Sequence, residues 1–286
     1  MQETPTKIFS PRVDVVFKML FGDQRSKDIL TDFLRAVLQL PESEFAELTI
    51  IDPHLKRETP DDKLGILDVK LKTAGGDIIN IEIQCRSMAD MRSRITYYSS
   101  NMITEQIGDA QPYSNLKRAI CIVIVDFDLI HESNSHHTVF QMREREEGFL
   151  FNDLLEINVL NLTKIPKDRS DALINWMKFL KADREEEFEM AASTSPAINN
   201  AYLRLQNLSA SEANRMIYEA RLKAQRDEWS RLAGAERKGI EKGRVEERAG
   251  IILTMSRQGL NAKAIAGFTG LSETQVEEML RSKPAG

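Results

Sequence analysis

Cysteine is nearly absent from this chain. Only Cys85 and Cys121 occur among 286 residues, too few for a disulfide framework or a four-cysteine zinc site. Long apolar runs are missing too: the longest, Ala119–Val125, falls far short of the ~20 residues that a membrane-spanning helix needs. Neither sign of charge dominates, with 39 Lys and Arg against 44 Asp and Glu. That balance argues against a nucleic-acid coat or a polybasic membrane binder. It leaves room for an enzyme with a local acidic metal site. No Gly-x-Gly-x-x-Gly or Walker-type loop is present, and Gly234, Gly239 and Gly243 recur in a charged helical context where no phosphate cradle is expected. His136 and His137 are adjacent, so on a strand they point to opposite faces, while His54 and His131 have no spaced partner. The first residues show no basic region followed by an apolar stretch. The expectation is a mature start and a soluble, reduced, cytoplasmic protein with no membrane partner.

What is present is a mixed pattern. Residues 13–20 and 27–40 carry apolar positions at helical spacing, with Ile29, Leu30, Phe33, Leu34, Val37 and Leu38 on one face and Pro41 as a stop. Residues 48–51 form a short strand candidate. Residues 65–72 and 78–84 alternate around Ala74-Gly75-Gly76, the signature of a β-hairpin. Residues 88–107 read as a helix, and Ala119–Val125 as a strand buried on both sides. Residues 138–143 and 156–162 are further strands, and residues 171–182 a helix packed through Trp176 and Phe179. The order αα, βββ, α, βββ predicts an α/β fold with one mixed central sheet flanked by helices, followed by a helical C-terminal region.

The hairpin carries the chemistry. A three-residue loop centred on Gly75 would set Asp68 directly opposite Glu82 on one face; a two-residue loop would send them to opposite faces. Facing carboxylates repel, at a cost of up to ~1 kcal/mol, and a divalent cation between them would turn that cost into binding. Oxygen ligands favour Mg²⁺ or Mn²⁺ over zinc. The plainer alternative is an acidic pair on the wet face of a half-exposed hairpin. Cys85 is expected to turn the other way, as a buried inert thiol.

Several stretches resemble one family in chain order: Asp14-Val15-Val16-Phe17-Lys18-Met19-Leu20-Phe21-Gly22, Lys63-Leu64-Gly65-Ile66-Leu67-Asp68-Val69, Ile79-Asn80-Ile81-Glu82-Ile83-Gln84, Arg94-Ile95-Thr96-Tyr97-Tyr98, and residues 113–127. The sequence is similar to the PD-(D/E)XK nuclease superfamily, and within it to the Rpn family of recombination-promoting nucleases and transposases. The resemblance implies a restriction-endonuclease-like fold and a Mg²⁺- or Mn²⁺-dependent DNA endonuclease, associated with recombination or mobile elements. Asp68 and Glu82 would then be metal ligands and, with Gln84, the catalytic set. Gln84 stands where the wider superfamily usually has lysine, so it could orient water but adds no positive charge; the Rpn group resembles this Gln variant.

Lys18, Lys70 or a second metal could supply the missing charge, Lys18 being otherwise a solvated surface lysine. Asp14 is either an added carboxylate or an acid favoured by the helix start. Arg94, Tyr98 and Gln106 form either a DNA-phosphate clamp or a tyrosine packed on the sheet beneath a snorkelling arginine.

The division expected from the sequence is a nuclease-like domain over residues 1–182, a charged helical extension over 183–248, and a small helix-turn-helix-like segment over 249–286. The stretch 192–200 reads as a small-polar linker. Leu222, Trp229 and Leu232 keep a seven-then-three spacing that hints at a helix-pairing seam and a homodimer through the C-terminal region. Glu273, Glu277 and Glu278 would repel phosphates from the last helix. A non-catalytic DNA-binding or oligomerising protein on a nuclease-like scaffold is the alternative to the enzyme.

Overall fold

The structure is a computed structural model, describing residues 7–51, 68–88, 90–108 and 110–282. His54 and the motif residues from Lys63 to Leu67 lie outside the described residues. The chain divides into two compact units, Met1–Arg221 and Leu222–Gly286.

The first unit opens with α1 (Asp14–Phe21), α2 (Lys27–Val37) and α3 (Glu42–Phe45). It continues through β1 (Thr49–Ile51), β2 (Val69–Lys72), β3 (Ile78–Gln84), α4 (Met91–Thr104) and β4 (Ala119–Val125). Then follow β5 (His137–Arg143), β6 (Leu150–Asn161), α5 (Ala172–Lys181), α6 (Glu185–Ala192), α7 (Pro196–Ala210) and the start of α8 (Glu212–Arg257). The strands form one sheet in the order β1-β2-β3-β4-β6-β5. β3, β4 and β6 run parallel, and the pairs β1–β2, β2–β3 and β5–β6 are antiparallel. A parallel neighbour requires a crossover, and α4 supplies it between β3 and β4. The fold is thus the expected mixed sheet with flanking helices.

Hydrophobic layers cover both faces of β4, which is buried at every position. On one face Cys121, Val123 and Val125 pack with Met91, Ile95, Leu129 and Val159, while Ala119 packs with Tyr98 and Met102. A chain of aromatic contacts ties α1, α2, α5, α6 and α7 together: Phe17–Phe21, Phe21–Phe33, Phe33–Trp176, Trp176–Phe179, Phe179–Phe188 and Phe188–Tyr202. Trp176 is fully buried, and its Nε1 donates to Asp32 at 2.8 Å.

Two expectations need correction. Residues 192–200 are no free linker. Ser195 caps α7 by accepting from Ala197 N, Pro196 begins the helix, and Ile198, Tyr202 and Leu205 are buried. With Phe188 they pack α6 and α7 within the first unit, which runs to Arg221. Cys85 is exposed, because β3 ends at Gln84 and the strand alternation ends with it.

In the second unit α8 ends at Arg257 and is followed by α9 (Ala262–Thr269) and α10 (Glu273–Ser282). Ile252, Ile265 and Val276 are fully buried together, with Met255, Leu260, Leu271 and Leu280 around them. Gly270 closes α9 in the left-handed region at φ 68°. Ser272 Oγ accepts from Gln275 N while Gln275 Oε1 accepts from Ser272 N, a reciprocal cap.

Trp176→Ala should lower the unfolding free energy by about 3–5 kcal/mol, because it opens a large cavity and leaves Asp32 without its donor. Equilibrium urea unfolding followed by far-UV circular dichroism checks it; a loss below about 1 kcal/mol would show that the aromatic chain does not hold the helical layer.

Candidate functional site

The β2–β3 register determines the site. Val69 pairs with Ile81, Lys70 with Asn80, Leu71 with Ile79 and Lys72 with Ile78. This is the register of a three-residue loop at Ala74–Gly76, and extended one residue beyond β2 the same alignment sets Asp68 opposite Glu82. Ile79, Ile81 and Ile83 are buried on one face of β3, so Asn80, Glu82 and Gln84 share the other. Glu82 and Gln84 stand at the carboxyl end of β3, in the parallel part of the sheet, where α/β sheets commonly open a crevice for ligands.

Local contacts hold the two carboxylates. Asp68 Oδ2 accepts from the backbone N–H of Ile83 at 3.0 Å. Glu82 Oε1 accepts from Asn80 Nδ2 at 3.1 Å, and Asn80 is fully buried. Both acids are pushed above the ordinary carboxylate range. For Asp68 the main cause is burial, only partly offset by the Ile83 amide and by Lys18. For Glu82 it is burial and then the negative charge of Asp68, opposed by Asn80, Arg94 and Lys18. The charge of Asp68 thus makes that of Glu82 costly, while the acid that raises Asp68 itself is Asp14.

Cations approach from two helices. Lys18 of α1 places Nζ 3.7 Å from Asp68 Oδ1. Asp14, one turn earlier, is held in a bidentate ion pair by Arg221 of α8, its Oδ1 accepting from Arg221 Nε at 2.8 Å. The field of Asp68 also raises the pKa of Arg221. Sequence reasoning missed Arg221, which lies 207 residues from Asp14 within a tail that reads as a solvated helix. It missed Asn80 as well, although an amide two residues before Glu82 on the same strand face was visible.

Other candidates are placed differently. Lys70 is buried, and its Nζ donates to Glu105 at 2.7 Å, so its charge is matched locally. Gln106 binds backbone with both ends of its amide: Nε2 donates to Met102 O and Lys117 O, and Oε1 accepts from Lys117 N. Tyr98 is a core residue. Arg94 is exposed, with its guanidinium 5.1 Å from the centre of the Tyr98 ring and within electrostatic reach of Glu82. His137 is hydrogen-bonded to Asn158 and His131 to Asp128.

The donor set suits a hard cation. Among the described residues no group of three or more His, Cys, Asp or Glu is placed to hold an ion. Mg²⁺, however, uses one or two carboxylates and keeps several waters. The same strand face carries the side-chain amide oxygens of Gln84 and of Asn80, whose buried Oδ1 has no hydrogen-bond partner among the described residues.

A family model described as PD-(D/E)XK nuclease family transposase matches residues 11–235. The matched span includes Asp14, Lys18, Asp68, Glu82, Gln84 and Arg221. No curated protein and no solved structure matches the chain.

Because folding disfavours the charged form of Glu82, its contribution to stability is fully present below the ordinary carboxylate range and is lost as pH rises through the shifted value. Glu82→Gln should therefore equal wild type near pH 4 and be the more stable of the two near pH 8. Urea unfolding at both pH values without divalent cations measures this, and a difference independent of pH would mean that charge is not its source.

Proposed function

The chain belongs to the PD-(D/E)XK nuclease family transposases, and from that premise we propose that it is a metal-dependent DNA endonuclease acting in recombination or mobile-element biology. One observation carries the reading: two carboxylates, the half-buried Asp68 and the buried Glu82, face each other across a hairpin with both pKa values raised. A cation would relieve that repulsion. Asp68 and Glu82 would hold Mg²⁺ or Mn²⁺, which when bound supplies Lewis-acid polarisation of a phosphoryl oxygen and lowers the pKa of water.

The remaining roles fall to side chains around the pair. Gln84 orients the attacking water or the adjacent phosphate through its amide. Lys18 brings the positive charge that Gln84 lacks, close to Asp68 and hence to the reacting phosphate. Arg94, exposed above Tyr98, offers a guanidinium to a neighbouring phosphate. Asn80 fixes one oxygen of Glu82 and leaves the other for the cation. Arg221 neutralises Asp14 and so limits further acidic repulsion. Two free thiols fit the reducing cytoplasm. Exposed Trp229 and Leu232 on α8 offer a surface for pairing two copies, which would let one assembly cut both strands.

A second reading, a DNA-binding scaffold without catalysis, is favoured by Gln84 in the usual lysine position. Plasmid nicking with Mg²⁺, with Mn²⁺ and with EDTA separates the two. Wild type should nick only with metal, Asp68→Ala and Glu82→Ala should each lose at least about 100-fold, and Lys18→Ala about 10–100-fold. Cleavage that survives both carboxylate substitutions rejects the site; DNA binding with no cleavage under any metal selects the scaffold.

A further inference from the structure

At the other end of the same hairpin lies a second feature with the opposite charge. A cleft of about 270 Å³ opens between the β2–β3 turn and the C-terminal end of α4, lined by Lys70, Lys72, Gln106, Asn115 and Lys117 among others. Lys70 is neutralised by Glu105, and Gln106 is engaged with backbone. Lys72 and Lys117 differ: both are exposed, and neither forms an ion pair among the described residues. Two acids stand near the turn. Glu44, which feels the charge of Lys117, accepts from Thr73 Oγ1 and Gly75 N, and Asp77 is bound to Arg118.

The two lysines converge. A Cβ placed on Gly76 would lie 3.5 Å from Lys72 Cε and 3.5 Å from Lys117 Cε. The two Cε atoms, each at that distance from one point, are separated by at most twice it. Two exposed lysine side chains are thus brought together over a glycine, in a cleft whose lining carboxylate Glu105 is paired with Lys70. Their repulsion is relieved by an anion, as that of Asp68 and Glu82 would be by a cation.

We propose that this cleft binds a phosphate, specifically a non-scissile backbone phosphate of the nucleic acid cut at Asp68 and Glu82. The proposal rests on the nuclease reading. Lys70 and Lys72 share one face of β2 and Asp68 immediately precedes the strand, so at an extended rise Lys72 is roughly 13 Å from Asp68. That distance corresponds to about four nucleotides of duplex at their axial rise of ~3.4 Å. A polynucleotide lying along the hairpin would place its reacting phosphate at the acidic end and a later phosphate at the basic end. Contacts of this type set position and carry no base preference.

Fluorescence anisotropy of a labelled duplex, with EDTA and again with Ca²⁺ across a range of NaCl, tests the proposal without relying on cleavage. Lys72→Ala/Lys117→Ala should weaken binding about 10-fold near 0.1 M salt and lower the salt slope by about two, nearly one for each phosphate that is no longer neutralised. The weakening should be equal for two unrelated DNA sequences, and Lys117→Glu should weaken binding more than Lys117→Ala. Lys242→Ala, on the exposed part of α8, should leave the slope unchanged. A wild type that binds DNA while the double variant keeps its slope overturns the cleft and leaves the nuclease reading intact. A wild type that binds no DNA under either condition overturns both.

Discussion

Two like charges held face to face are the constraint from which the arrangement of this hairpin follows. Asp68 and Glu82 meet only because the turn contributes three residues; with one fewer, the pleat would send them to opposite faces. The turn is itself specified. Gly76 has φ +95°, a left-handed conformation that suits glycine. A side chain at Gly75 would collide with the Glu44 carboxylate, which binds the turn through Thr73 Oγ1 and Gly75 N. The position of the acidic pair is thus set at a turn some distance along the strand, by residues that take no part in any chemistry.

Such a pair opposes folding, so the rest of the unit must outweigh it. The aromatic chain through Trp176 and the doubly buried β4 supply apolar burial on both faces of the sheet. Polar groups under α4 are matched where matching is possible: Lys70 with Glu105, and Glu82 with Asn80. Among the described residues, the buried side-chain atoms left without a hydrogen bond include Asn80 Oδ1 at the site. Functional sites often concentrate local conflicts of this kind, which the surrounding structure tolerates.

Much of this was legible in the sequence, for identifiable reasons. Period-two alternation around Ala-Gly-Gly predicts the hairpin but leaves its register to the loop length, and the uninterrupted apolar run of β4 predicts a central strand. Helical spacing predicts α1, α2 and α5. The errors come where local pattern and tertiary contact disagree. Residues 192–200 look like a linker because small polar residues predominate, yet Ser195 and Pro196 are a helix start, and Ile198, Tyr202 and Leu205 recur at helical spacing. Arg221 was not legible at all, since nothing local in a charged helix distinguishes an arginine that finds Asp14 from one that is solvated. Lys70 and Gln106 share the candidate face, but sequence spacing does not reveal that Glu105 and Lys117 engage them.

The distribution of cations bears on how a protein with a net charge of −5 could act on a polyanion. Net charge governs long-range attraction, whereas at contact distance the arrangement of individual charges decides. On the face shared by β2 and β3 the charge passes from the acids Asp68 and Glu82, through the neutralised Lys70–Glu105 pair, to Lys72 and Lys117. Phosphate alone would be repelled from the acidic end and attracted to the basic one. A cation at the acids, as proposed, would reverse the first preference and leave the second, so that one strand would be favoured at both. On the proposed reading the cation would govern access to the reacting position as well as the chemistry there. On the proposed reading, the absence of lysine at position 84 would be offset from α1 by Lys18, the lysine beside Asp68.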